Sequence, residues 1–154
     1  MPSARLIVIL YAYYFGFPAL ALGVIGDLLN IFIFTTVRTY RQTSSTFYLL
    51  GAVMANFVHL SIAITTRIFS VAYDLDMTRT SLVYCKMRQF IIATYPPLGL
   101  TCESLAAIDQ FLVTSRHARL RQWSSMKIAY RLVTVSVIIW HLHSVPFLVF
   151  TEIR

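Results

Sequence analysis

The sequence predicts an all-α membrane protein that crosses the bilayer with four helices. Of its 154 residues, 58% are hydrophobic and only 12% are charged. About a quarter of the residues in a soluble domain are charged, so this chain has too little polar surface to fold in water. The hydrophobic residues also collect in four runs, each at least as long as the roughly 20 residues that a helix needs to cross the hydrocarbon core.

The first two spans are predicted at about 6–37 and 44–73. The first has no charged residue from Leu6 to Gly26, and this run is too long for a signal peptide, so we expect it to remain as a span. Pro18 lies inside the run and predicts a kink at the preceding turn. The second span opens with Ser44 and Ser45, whose hydroxyls suit the start of a helix.

The third and fourth spans are predicted at about 82–115 and 126–150. Pro96 and Pro97 are adjacent in the third span and predict a local break or a strong kink there. The fourth span is uncharged from Leu132 to Phe150. The four spans make a single transmembrane region over residues 1–154, with no internal repeat and no separate soluble domain.

The formal net charge of +7 comes from basic residues that do not cluster outside the predicted loops. In a soluble protein this charge would suggest nucleic acid, but beside apolar spans it indicates a lipid bilayer as the partner. Lys and Arg collect in cytoplasmic loops. The dense group Arg116, His117, Arg119 and Arg121 therefore favours a cytoplasmic position for that loop, with the N-terminus outside the cell.

No pattern of catalytic residues is present, since the sequence holds no Ser-His-Asp set, no phosphate-binding loop and no metal-ligand spacing. Histidines at positions 59, 141 and 143 raise haem binding as an alternative. However, His141 and His143 are two residues apart and point to different faces of a helix. We therefore predict no enzyme activity, no metal and no cofactor.

Several landmarks occur in the order and at the spacing of one receptor family. They are Gly26-Asp27 in the first span, Ala55-Asn56 in the second, Cys85 and Asp109-Gln110-Phe111 in the third, and Trp140 with Pro146 in the fourth. The chain resembles the first four helices of a rhodopsin-like (class A) G-protein-coupled receptor of a divergent invertebrate type. The resemblance implies a seven-helix bundle of which this chain is a fragment, in the plasma membrane. It also implies a heterotrimeric G protein and an unknown extracellular ligand as partners.

The tripeptide Asp109-Gln110-Phe111 matches the cytoplasmic switch of that family, with one departure. The family has Arg where this chain has Gln110, and that Arg pairs with the acid at rest and engages the G protein on activation. Gln can hydrogen-bond Asp109, but it cannot make the bidentate, permanently charged pair of Arg. By the same resemblance, the loop with Arg116, His117, Arg119 and Arg121 faces the G protein.

The resemblance also implies a polar pair between the first two spans. The family has Asn on the first helix and Asp on the second, in contact with each other, whereas this chain has Asp27 and Asn56. An amide–carboxylate hydrogen bond can form either way round, so we expect the pair to be retained. The family's sodium site is expected to be lost, because Asn56 and Gly99 replace its acid and its polar partner.

On the outer side, the resemblance implies a ligand cavity lined by Gln89, Ile92, Ala93 and Pro96. Ile92 stands where amine receptors have Asp, so a small cationic amine ligand is disfavoured. Cys85 matches one half of the family's extracellular disulfide, whose partner lies after the fourth helix, and we expect an unpaired thiol. The alternative hypothesis is a non-signalling four-helix membrane protein, or a truncated receptor that acts as an interaction subunit.

Overall fold

The computed structural model describes residue 7 and residues 9–38, 42–73 and 82–150. Within these ranges the chain is helical and has no β-strand. Four long helices follow one another: α1 (Ile9–Thr36), α2 (residues 44–73), α3 (Leu82–Thr114) and α4 (Met126–Phe150). A single helical turn, Ala118–Arg121, lies in the loop between α3 and α4.

All four helices are long and apolar enough to cross a membrane, as the sequence predicts. Their large apolar side chains point mostly outwards; Leu22 on α1 is 71% exposed and Leu142 on α4 is 66% exposed. Such a surface is unfavourable in water, but in a bilayer it meets lipid tails of the same polarity. The architecture is therefore that of a multi-pass helical membrane protein.

α1 departs from α-helical geometry near its start. A π-helical turn, Ala12–Gly16, directly precedes the α-helical part, Phe17–Thr36. Pro18 has no N–H for the carbonyl four residues earlier, and its ring crowds that turn. The wider turn thus falls where the proline disturbs the helix. Further along, a Cβ at Gly23 would lie 3.1 Å from the Leu60 side chain, so this glycine lets α1 approach α2 closely.

α2 is α-helical over Ser44–His59, passes through a second π turn at Leu60–Ile64 and continues as Thr65–Tyr73. A π turn changes the spacing of donors and acceptors and disturbs the regular pairing of carbonyls. Thr65 compensates within the helix, because its Oγ1 donates a hydrogen bond to the carbonyl oxygen of Leu60 at 3.0 Å.

α3 is helical throughout, including Pro96 and Pro97, so of the predicted break or strong kink the break does not occur. This stretch is tightly enclosed by its neighbours. Thr94 is fully buried, and a Cβ at Gly99 would lie 3.8 Å from a backbone carbonyl oxygen of α2. A break at this depth would leave unpaired backbone groups away from water, and packing against the neighbouring helices keeps the segment helical instead.

α2 and α3 are antiparallel and form the centre of the structure, with α1 packed on α2 and α4 packed mainly on α3. Two buried clusters form the core, and both contain small side chains that let helices approach. The first cluster holds Ala52, Ala55, Leu98 and Cys102, and the second holds Tyr48, Ala106 and Ala129.

A chain of hydrogen bonds joins α4 to α3 in the middle of the structure. Trp140 donates from Nε1 to the hydroxyl oxygen of Thr101 at 3.0 Å. Thr101 in turn donates to the carbonyl oxygen of Pro97 at 2.7 Å. Ser144 is fully buried and donates to the carbonyl oxygen of Trp140 at 2.8 Å. The indole therefore has a defined partner, and it fixes the height of α4 against α3.

Candidate functional site

The carboxylate of Asp109, near the end of α3, is the centre of a buried polar cluster. Asp109 is 4% exposed. Ser44 and Ser45, at the start of α2, each donate a hydrogen bond from Oγ to its Oδ2 atom, both at 2.6 Å. The Oγ atoms of Ser44 and Ser124 are 2.9 Å apart, and Ser124 lies in the loop before α4. These four residues are called the Asp109 cluster below.

The directions of the hydrogen bonds in the Asp109 cluster follow from the number of hydrogens available. An ionised carboxylate only accepts, so both Ser44 and Ser45 donate to it. The single hydroxyl hydrogen of Ser44 is then in use, and its oxygen accepts from Ser124. The series of donors runs from the loop through α2 to α3, and so it ties together three segments that are distant in the sequence.

The cluster also places a negative charge at the N-terminal end of α2. The first N–H groups of a helix have no partner within the helix and carry a partial positive charge. Ser44, Ser45 and Thr46 are each 7% exposed, so little water reaches this helix end. Charge-assisted hydrogen bonds are roughly twice as strong as neutral ones. The carboxylate therefore fixes the end of α3 against the start of α2.

Gln110 and Phe111, the other two residues of the predicted switch, lie outside this cluster. Both side chains are exposed, Phe111 by 68%. Within the described ranges, the side chain of Gln110 makes no hydrogen bond, and the carboxylate of Asp109 is bonded to serines instead. The structure thus separates the buried acid from the rest of the tripeptide.

The basic residues of the loop after α3 are all on the surface. They are Arg116, His117, Arg119 and Arg121. In the part of the chain that the structure describes, none of them is in an ion pair, and the backbone N–H of His117 donates to Ser115 Oγ at 3.3 Å. The acid at this end, Asp109, is buried and already bonded. The loop therefore presents unpaired positive charge to its surroundings.

Asp27 and Asn56 do not form the expected hydrogen bond. Asp27 is 9% exposed and its Oδ2 atom is buried without a hydrogen-bond partner among the described residues, whereas Asn56 is exposed. The two residues lie at a similar height, because Gly23 packs beside Leu60 and the two helices are antiparallel. The expected contact is therefore not made, although the two residues lie at a similar height.

The residues predicted to face a ligand, Gln89, Ile92, Ala93 and Pro96, are all half-buried on α3. Gln89, Ile92 and Pro96 follow one another at steps of three and four residues, which places them on one face of the helix. Cys85, one turn earlier, is a half-buried free thiol.

Sequence reasoning misses several polar contacts. It identifies Ser44 and Ser45 as helix-capping hydroxyls but not as partners of Asp109. The signal is a serine pair that opens one span and a lone acid that ends the next, which antiparallel helices bring to the same end. It also overlooks His59 Nδ1 and Arg88 Nε, which are buried and have no hydrogen-bond partner in the described part of the chain. Among the described residues, no three His, Cys, Asp or Glu side chains come together as metal ligands.

No protein-family model matches this chain, and no curated protein matches it either. The fold and the site define a multi-pass helical membrane protein that carries a buried carboxylate–serine cluster at its basic end.

Proposed function

We propose that the chain is the first four helices of a rhodopsin-like G-protein-coupled receptor, which senses an extracellular ligand and activates a heterotrimeric G protein. It lies in the plasma membrane with its N-terminus outside, so that the Asp109 cluster and the basic loop are cytoplasmic. The observation that carries this proposal is a polar face on α2 and α3 that the four helices leave uncovered. The resemblance supplies the family, and this face supplies a physical reason for further helices.

The polar face consists of Asn56, Glu103 and Gln110, all of which are exposed. Asn56 directly follows Ala55, and Glu103 directly follows Cys102; both preceding residues are buried between α2 and α3. One residue turns a helix by about 100°. Because the two helices are antiparallel, this step turns Asn56 and Glu103 to the same side of the pair. Gln110 lies about two turns beyond Glu103 on that side.

Exposed polar groups are unfavourable where a helix crosses lipid. Insertion experiments assign roughly 2.5–3.5 kcal/mol to Asp, Lys or Arg at the centre of a span, and ionisable residues within spans almost always face the interior of a bundle. Glu103 and Asn56 would face lipid if the four helices were alone. Further helices packed on α2 and α3 would cover both, and a seven-helix bundle supplies such helices.

The residues predicted to face a ligand lie on the same side of α3. Gln89, Ile92 and Pro96 precede Glu103 at steps of three, four and seven residues, which is the spacing of one helix face. A cavity between this face and further helices would be lined by these side chains. The family resemblance and the polar face therefore agree on the side of α3 where a ligand would bind.

The test restores the family's Arg at the switch. The longest product of the gene that contains this chain is expressed in cells with and without Gln110→Arg, and basal nucleotide exchange on G proteins is measured. We expect Gln110→Arg to raise exchange, because Arg supplies the permanent charge that Gln lacks. Gln122→Arg is the matched control, since Gln122 is an exposed glutamine in the same basic region. Equal exchange in wild type and both variants would contradict the proposal.

A second function would also explain the polar face. The chain would then be an interaction subunit, and another chain would cover this face. Glu103→Cys tests this reading by disulfide cross-linking in membranes, with Ile139→Cys on the exposed side of α4 as the control. Dimers that form through position 103 and not through position 139 would support the subunit. Absence of dimers in both variants would count against it.

A further inference from the structure

A groove at the basic end lies between α1, α2 and α4. The groove has a volume of about 420 Å³, which is within the range of roughly 300–1,000 Å³ typical of ligand pockets. Its lining residues are Phe34, Thr35, Thr46, Phe47, Leu50, Met126 and Tyr130.

The groove has both apolar side chains and hydroxyl groups in its lining. The rings of Phe47 and Tyr130 form one wall, with their centres 4.3 Å apart. The hydroxyl of Thr35 is used within α1, where it donates to the carbonyl oxygen of Ile31 at 2.7 Å. Tyr130 is 55% exposed, and its hydroxyl makes no hydrogen bond in the part of the chain that the structure describes. The groove therefore offers aromatic and aliphatic walls together with the hydroxyls of Thr46 and Tyr130, which make no hydrogen bond within the described residues.

Basic residues lie close in the sequence to the residues that line the groove. Arg38 follows the end of α1, Lys127 lies one residue after Met126, and Arg131 lies one turn beyond Lys127; all three cations are exposed. None of them is in an ion pair within the described ranges. The acid at this end, Asp109, is buried and bonded to serines. The three cations outnumber this one acid, so the end of the structure that holds the groove carries a net positive charge.

The position of the groove matches the depth of lipid headgroups. It lies at the last turn of α1 and the first turns of α2 and α4, where the helices leave the hydrocarbon. A molecule bound here would have its apolar part among the helices and its polar part beside the basic residues.

We propose that this groove binds a phospholipid with an anionic headgroup, taken from the surrounding bilayer. An acyl chain lies along Phe34 and Leu50, and the phosphate is held by Arg38, Lys127 and the hydroxyl of Tyr130. Lipid tails are as apolar as the groove, so the acyl chain alone gives little preference over the bilayer. Selectivity therefore comes from the charge at the mouth. This inference does not depend on the proposed receptor function.

The test measures which lipids stay bound to the purified chain. The protein is reconstituted in phosphatidylcholine vesicles that contain a minor fraction of phosphatidylserine, extracted in mild detergent, and analysed by native mass spectrometry. We expect one phosphatidylserine to be retained in preference to phosphatidylcholine. Each basic residue near a membrane surface contributes about a fivefold factor in affinity for anionic lipid. The double variant Arg38→Gln/Lys127→Gln should therefore lose the preference by at least about fivefold.

Two comparisons make this result decisive. Arg119→Gln/Arg121→Gln removes the same charge from the neighbouring loop and should keep the preference, with circular dichroism confirming that each variant is folded. Leu50→Trp fills the groove without changing charge and should release the bound lipid. Equal loss in both charge variants would overturn the proposal, because attraction would then be a property of the whole surface. Retention of phosphatidylcholine or a sterol in place of phosphatidylserine would also overturn it.

Discussion

Replacing Asp109 with Ala removes the acceptor of two hydrogen bonds at once. Ser44 and Ser45 both donate to Asp109 Oδ2 at 2.6 Å, and all three residues are buried. In Asp109→Ala both hydroxyls lose their acceptor in a place that little water reaches. The start of α2, the end of α3 and the loop at Ser124 then lose their common attachment.

The size of the effect can be worked from these two bonds. A hydrogen bond to a charged group contributes about 1.5–3 kcal/mol in soluble proteins. Polar contacts between membrane helices average about 0.6 kcal/mol and reach about 1.7 kcal/mol, because the unfolded state in the membrane also finds partners. Two bonds therefore give a loss of about 1–3 kcal/mol in the free energy of unfolding for Asp109→Ala.

The assay is unfolding of the purified chain in mixed micelles by increasing amounts of dodecyl sulfate, followed by circular dichroism. Ser44→Ala and Ser45→Ala should each lower the free energy of unfolding by part of the amount lost in Asp109→Ala. A variant that combines Asp109→Ala with either serine change should lose less than the sum of the two single losses. Ser136→Ala is the matched control, since the hydroxyl of Ser136 bonds only within α4. Wild-type stability of Asp109→Ala, or full additivity with the serine variants, would refute the reasoning.

Further predictions use the same unfolding assay. Trp140→Phe removes the indole hydrogen bond to α3 and should lower the free energy of unfolding by about 0.6–1.7 kcal/mol. Trp123→Phe changes an exposed residue of the loop before α4 and should leave stability unchanged. Gly99→Leu overpacks the α2–α3 interface and should cost about 1–3 kcal/mol. Gly26→Leu meets open space and should be tolerated; equal loss in both glycine variants would show that packing is not the cause. Asp27→Asn should be neutral or stabilising, because the buried carboxylate oxygen has no partner to lose, and a clear loss of stability would show that it has one.

The spans could be predicted from the sequence because length and composition alone decide whether a helix can cross a bilayer. The continuous course of α3 through Pro96 and Pro97 could not be predicted from the sequence. Local chemistry predicts a break or a strong kink there, and the burial of the neighbouring Thr94 and Gly99 against other helices keeps the segment helical. Tertiary packing overrides the local preference in this segment.

The candidate site could be predicted only in part. Asp109 is recognisable as a lone acid at the end of an apolar run, but its partners depend on how two antiparallel helices align over more than 60 residues of sequence. Asp27 and Asn56 show the complementary failure. Their similar height follows from the alignment of α1 and α2, but a contact also needs both side chains to point towards each other, which the sequence does not reveal.

The π turn at Leu60–Ile64 has a consequence for changes in chain length. A π turn holds one residue more than the α-helical path needs. A deletion of one residue within this turn would convert it to regular α-helix and leave the side chains on either side pointing as before. The same deletion within Ser44–His59 would rotate one part of α2 by about 100° against the other. It would turn Tyr48, Ala52 or Ala55 out of the core. A one-residue deletion in α2 should therefore be tolerated within Leu60–Ile64 and harmful within Ser44–His59.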